Sequence, residues 1–170
     1  MAEHARALLS DHFGRIAELV EDLTDGLSEE TATWRPAPEA NTIAWLIWHL
    51  ARVQDDHIAD AAGIEQIWPR WHQRLALPFD VSDFGYGHTP EQVGAVQVPA
   101  QDLRAYHAEV HEQTLDYVGG IDGQELDRVL DTSWDPPVTV AVRLVSVIGD
   151  CLQHAGQAAY VRGIAPGAAH

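Results

Sequence analysis

Lysine is absent from this 170-residue chain: all ten basic residues are arginine, against 26 aspartates and glutamates, for a formal net charge of −16. So acidic a protein is repelled by phosphate backbones, which argues against nucleic-acid binding. It also lacks the polybasic stretch that an anionic membrane surface attracts. Cysteine is nearly absent too. Cys151 stands alone, so no internal disulfide can form, which is compatible with a cytoplasmic location. No apolar stretch is long enough to span a bilayer. The N-terminal "MAEHARALLSDHF" reads as an amphipathic helix without a long apolar h-region, so no secretory signal is expected.

Apolar content is 46%, with six tryptophans, which suits a folded globule rather than a disordered chain. There is no internal repeat or low-complexity tract, and residues 1–170 are expected to form a single domain. Four segments carry helical periodicity. The first covers roughly 2–27, with Leu9, Phe13, Ile16, Val20, Leu23 and Leu27 on one stripe. After the break at "RPAPEAN", Asn41 offers an N-cap for a second helix that ends near Gly63. A third fits 100–118, with Leu103, Tyr106, Val110, Thr114 and Tyr117 inward, and "GGIDG" stops it. The fourth runs from near Val138 to about Arg162, before Gly163 and Pro166. Between the second and third lies an irregular crossover, 64–99, where Thr89-Pro90-Glu91 marks a short helix start.

This pattern is all-α: a four-helix bundle with one long crossover. The fourth helix is apolar on more than one side. Val142, Val145, Ile148, Leu152 and Tyr160 lie off the stripe of Val140, Leu144, Val147 and Ala158. Such a helix is either central or buries a second face against another subunit.

Polar residues interrupt the inward stripes. At about 100° per residue, Asp150 and His154 share one face of the fourth helix with Val147, Ala158 and Val161. Side chains four apart can grip one metal ion, and a divalent cation offsets the cost of burying a carboxylate. His49, flanked by "WLIWHL", lies on the stripe of Trp45, Leu46, Val53 and Asp56 and supplies a third donor from another helix. Two histidines, one carboxylate and an open position form the donor set of a catalytic zinc site. Nickel or ferrous iron also suits it. Plain alternatives exist for each part. A buried histidine is commonly a hydrogen-bonded core residue, and an Asp-x-x-x-His pair is often an ion pair.

Other residues belong with this set as lining or supporting candidates. His107, on the edge of the third helix's inward face, is a substitute ligand or lining residue, whereas His111 and His57 read as solvated. His12 and His88 are candidates for a pocket mouth. Asp56 either orients a ligand imidazole or pairs with Arg52 at the surface. Arg143 shares the inward side two turns before Asp150 and calls for a carboxylate of the protein or of a substrate. Cys151 could bind metal, although free cysteines are commonly buried and inert.

"NTIAWLIWHLARVQDDHIAD" and "VRLVSVIGDCLQHAGQAAYVRG" resemble the second and fourth helices of the DinB/YfiT-like superfamily, and specifically its actinobacterial branch of mycothiol-dependent enzymes. "WHLARVQD" and "LQHAGQAAY" are the most specific parts. The resemblance implies a four-helix bundle, often dimeric, holding zinc or nickel through one histidine of the second helix and an H-x-x-x-H pair of the fourth. By match, His49 is the first ligand and His154 the last. Asp150 stands where a histidine is usual and where the mycothiol-dependent maleylpyruvate isomerases carry a glutamate. Those isomerases have an additional C-terminal domain that this sequence does not show, which counts against that activity. The implied function is metal-dependent S-transfer, with a thiol such as mycothiol attacking an electrophilic small molecule. A metal-dependent hydrolase and a non-catalytic dimeric binding bundle are the alternatives.

Overall fold

The structure, a computed structural model, describes residues 2–167. Four long helices build it: α1 (Ala2–Thr24), α3 (Ile43–Ala62), α6 (Ala100–Gly120) and α8 (Val140–Ile164). Shorter elements join them: α2 (Glu29–Thr33), α4 (Trp68–Leu75), α5 (Pro90–Ala95), α7 (Gly123–Asp127), and strands β1 (Val129–Asp131) and β2 (Val138–Thr139). The fold is therefore the all-α bundle that the periodicity implies. α3 packs on α8 and α6, and α1 closes the ring against the same two helices. No helix among the described residues is long and apolar enough to cross a membrane.

The core follows the stripes. Phe13, Ile16, Val20 and Leu23 of α1 are buried, while Leu9 within it and Leu27, three residues beyond its end, are half-buried. Leu103, Tyr106, Val110 and Thr114 of α6 meet Val140, Leu144, Val147 and Ala158 of α8 in the same interior. α3 is buried along most of its length, including Trp45, Leu46, Trp48, Leu50 and Arg52. Covering α3 on that many sides takes more than three neighbouring helices. The crossover supplies the rest.

Several boundaries differ from the sequence reading. The N-cap of α3 is Thr42, whose side chain accepts from the Trp45 amide, so Asn41 lies one residue outside. α1 stops at Thr24, three residues early, and Ser28 then caps the separate turn of α2. Val138 and Thr139 do not open α8. They pair antiparallel with β1, and the Thr139 side chain caps the helix that begins at Val140. The crossover contains the expected helix at Pro90, started by a Thr89–Gln92 capping box. It also contains α4, which has no sequence cap. Its first amides, Ile67 and Trp68, donate to the Asp55 carboxylate of α3 at 2.9 and 2.7 Å.

The second apolar face of α8 is not central. Val142, Val145, Leu152 and Tyr160 are exposed, Val145 at 67% and Tyr160 at 68%, and only Ile148 is half-buried.

Candidate metal centre

His49 sits in the middle of α3 and is 6% exposed. The helical repeat places Trp45 one turn below, and the two rings stack at 4.6 Å with 13° between planes. Its Nδ1 lies 2.5 Å from the Phe84 carbonyl oxygen. A carbonyl only accepts, so Nδ1 carries the proton and Nε2 keeps its lone pair. Burial, reinforced by His154, holds the imidazole below its ordinary proton affinity, against the opposing pull of the Phe84 hydrogen bond and Asp150. The neutral ring is the form that ligates a metal.

Asp150 and His154 reach the same point from α8. His154 Nε2 lies 3.6 Å from Asp150 Oδ1, and its Nδ1 donates to Gln157 Oε1 at 2.8 Å, so this ring also leaves Nε2 free. The His49 and His154 rings meet edge-on, centroids 4.8 Å apart. One donor atom from each of His49, Asp150 and His154 lies within 4.8 Å of the other two, the only such group of three or more among the described residues. Asp150 Oδ2 is buried with no hydrogen-bond partner among the described residues. An orphaned buried carboxylate oxygen costs about 1–3 kcal/mol or more, a penalty that a bound cation removes. Tetrahedral zinc bonds of about 2.1 Å separate donors by roughly 3.4 Å, so closure around an ion needs a contraction on the order of an ångström. The residues thus fit a divalent metal in number, type and protonation.

The crossover covers this group. Asp83 Oδ1 accepts from the Gly85 amide at 2.7 Å, and both its carboxylate oxygens lie 3.0–3.1 Å from His88 Nε2. His88 Nδ1 accepts from Trp45 Nε1 at 3.1 Å. Gly85, at φ +95°, passes so close that a Cβ would stand 2.9 Å from His49 Nδ1 and 2.9 Å from Trp48.

The remaining candidates go elsewhere. His88 is not at a mouth. Its side chain is 3% exposed, packed between Trp48 and Phe79 behind Trp45. Asp56 does not orient His49 and does not pair with Arg52. It accepts from Gln66 at 2.8 Å, because its side chain leaves α3 toward the start of α4. Arg52 is not at the surface: it is fully buried beside Asp55 (3.6 Å) and over the Trp68 ring (5.1 Å). His107 is no substitute ligand. It is 2% exposed in the core of α6, its ring 6.3 Å from that of His111, and burial lowers its pKa to about 3. His111 and His57 are only partly solvated, and burial lowers both. His12 is exposed and bonds the Leu8 carbonyl of its own helix. Cys151 is fully buried, weakly bonded to the Leu50 carbonyl at 3.6 Å, and burial pushes its thiol pKa up. Arg143 is half-buried and makes no hydrogen bond or ion pair among the described residues, with its Nε buried and unsatisfied. Sequence reasoning missed Asp83, Phe84 and Gly85. The only signal was the glycine-rich "FGYG" inside an otherwise unpatterned crossover.

Comparison with known proteins agrees with this architecture. The profile of the mycothiol-S-transferase family matches residues 6–167. The chain belongs to the mycothiol-S-transferase family, within the DinB-like superfamily. A crystal structure of a conserved protein from Enterococcus faecalis is 35% identical, with a TM-score of 0.85 over 92% of this chain and 94% of that one. No curated protein matches. Members of the mycothiol-S-transferase family are metal-dependent, which agrees with the chemistry of the His49–Asp150–His154 donor set.

Proposed function

We propose that this protein is a metal-dependent S-transferase that joins a mycothiol-type thiol to an electrophilic small molecule, with His49, Asp150 and His154 as the metal ligands. The observation that carries this reading is the convergence of one donor atom each from His49, Asp150 and His154, on two helices, within 4.8 Å of one another, together with an Asp150 Oδ2 that has no hydrogen-bond partner among the described residues. Zinc and nickel suit the set best. A divalent ion held there would stabilise the anionic form of a thiol sulfur, whose proton is otherwise retained up to about pH 8.5.

The protein's own residues supply the rest. His49 and His154 present Nε2 lone pairs, while their Nδ1–H groups donate to the Phe84 carbonyl and to Gln157 Oε1. Asp150 contributes the negative charge that makes the set prefer a dication. Trp45 walls one side, stacked on His49 and edge-on to His154. Cys151 is sealed and protonated, so the nucleophilic sulfur comes from the co-substrate. That sulfur loses its proton and forms the new C–S bond. The carbon releases a leaving group or, at a double bond, its neighbour takes up a proton. Arg143 holds an anionic group of the electrophile: it lies about 10 Å before Asp150 along the same face of α8, and among the described residues its buried Nε has no hydrogen-bond partner. The exposed apolar face of α8, Val142 to Tyr160, is the surface through which two copies would form a homodimer.

Metal analysis of protein purified without an affinity tag tests the core of this reading. Near-stoichiometric zinc or nickel is expected, lost in Asp150→Ala and His49→Ala, together with metal-dependent thiol consumption when an electrophile is supplied. Absence of metal from the wild type, or its retention in both variants, overturns the assignment.

A further inference from the structure

The crossover does more than close the bundle. Asp83 sends out two arms that both end on His49. Along the backbone arm, Asp83 Oδ1 receives the Gly85 amide at 2.7 Å, which fixes the Phe84–Gly85 peptide with the Phe84 oxygen 2.5 Å from His49 Nδ1. Along the ring arm, the proton positions follow from the partners. Trp45 Nε1 can only donate, so His88 Nδ1 must accept, and His88 Nε2 must carry the proton that Asp83 receives. Trp45, held by this bond, lies flat against His49 at 4.6 Å. Arg52 Nε donates to the Asp83 carbonyl at 3.3 Å and ties the start of the segment back to α3.

We propose that residues 83–88 form a positioning strap that sets the tautomer and orientation of His49 before any metal arrives, with Asp83, Phe84, Gly85 and His88 as positioning residues. The proposal rests on His49 being a ligand. Gly85 is the position where a glycine is required, on two counts: its φ of +95° disfavours any L side chain, and a Cβ would strike His49 Nδ1 and Trp48. A loop that merely shielded α3 would need no hydrogen bond to the imidazole and no approach this close. Outer groups of this kind typically govern metal affinity by 10- to 100-fold.

Three measurements test the strap. In metal-free wild type, nitrogen-15 NMR should show His49 protonated at Nδ1; protonation at Nε2 overturns the proposal. Cobalt affinity, by competition against a chelator, should weaken 10- to 100-fold in Gly85→Ala and in His88→Phe, with an altered visible cobalt spectrum. His88→Phe keeps a ring between Trp48 and Phe79 while deleting both hydrogen bonds, so it remains informative if Gly85→Ala does not fold. Loss of thermal stability in the metal-free His88→Phe variant, with cobalt affinity and spectrum unchanged, shows the strap to be only structural and overturns the proposal. Wild type that takes up no cobalt overturns the metal reading instead, and the tautomer alone then decides the strap.

Discussion

His107 offers a sharp test of the interior. Its ring is 2% exposed on α6, and its Nε2 has no partner among the described residues. Burial, reinforced by His111, lowers its pKa from an ordinary 6.5 to about 3. In the unfolded chain the ring takes up a proton near pH 6.5; in the folded protein it stays neutral until near pH 3. Between those values the unfolded state binds more protons, so stability falls as pH falls, by about 1.4 kcal/mol per pH unit. At pH 4.5, two units below the unfolded value, the loss from this group is about 2–3 kcal/mol. It levels off below pH 3. His107→Leu removes the titration at similar volume and also removes the unpaired Nε2, so at neutral pH it should be as stable as the wild type or more so. The assay is urea unfolding at pH 7.0, 5.5 and 4.5 on chelator-treated protein, so that metal release does not contribute. The wild type should lose more stability than the variant between pH 7.0 and 4.5, by about 2–3 kcal/mol, with contributions from His111 and the other histidines largely cancelling. Parallel stability curves would show that His107 reaches solvent or a partner and would refute the argument.

Tyr106 donates to Asp55 Oδ2 at 2.8 Å inside the core, on the carboxylate that also caps α4. Tyr106→Phe should therefore cost about 1.5–3 kcal/mol in urea unfolding, the usual value for a buried bond to a charged acceptor, and leave metal content unchanged. A loss below about 0.5 kcal/mol would mean that the two amides and Arg52 satisfy Asp55 alone. Arg143→Gln should raise KM roughly tenfold for an anionic electrophile while leaving kcat and the kinetics of a neutral electrophile unchanged. Equal losses with both substrates would show that the guanidinium serves the fold rather than the substrate.

The long helices were legible because each carries several turns of one period. Phe13, Ile16, Val20 and Leu23 repeat on a single stripe, and all four are buried. α4 was not legible. It has eight residues, too few to establish a period, and its N-terminus is capped by Asp55, a residue twelve positions away on another helix. The β1–β2 pair is shorter still and rests on a tertiary ladder rather than on alternation. At the candidate site, the i, i+4 spacing singled out Asp150 and His154, a lone imidazole within an apolar stripe singled out His49, and the structure brings the three donors within 4.8 Å of one another. The wheel also pointed to Asp56, seven residues after His49, as the supporting carboxylate. The fully buried carboxylate is its neighbour Asp55, turned about 100° away toward α4, Arg52 and Tyr106. The group that does orient His49 is a backbone carbonyl, which has no residue type and so leaves no trace in the sequence.

The asymmetry between the two helices that carry the candidate ligands bears on the crossover's course. On α8 the pair supports itself: His154 lies beside Asp150, and Gln157, three residues on, accepts the hydrogen bond from its Nδ1. On α3, residues one turn either side of His49 are Trp45, Leu46, Arg52 and Val53. The tryptophan supplies a stacking face, the arginine points into the Asp55–Trp68 cluster, and none offers an acceptor for Nδ1. A buried imidazole with an unpaired N–H would cost about 1–3 kcal/mol and could rotate to present either nitrogen. The acceptor comes instead from the crossover, through the Phe84 carbonyl, and the close approach falls where the chain has no side chain, at Gly85.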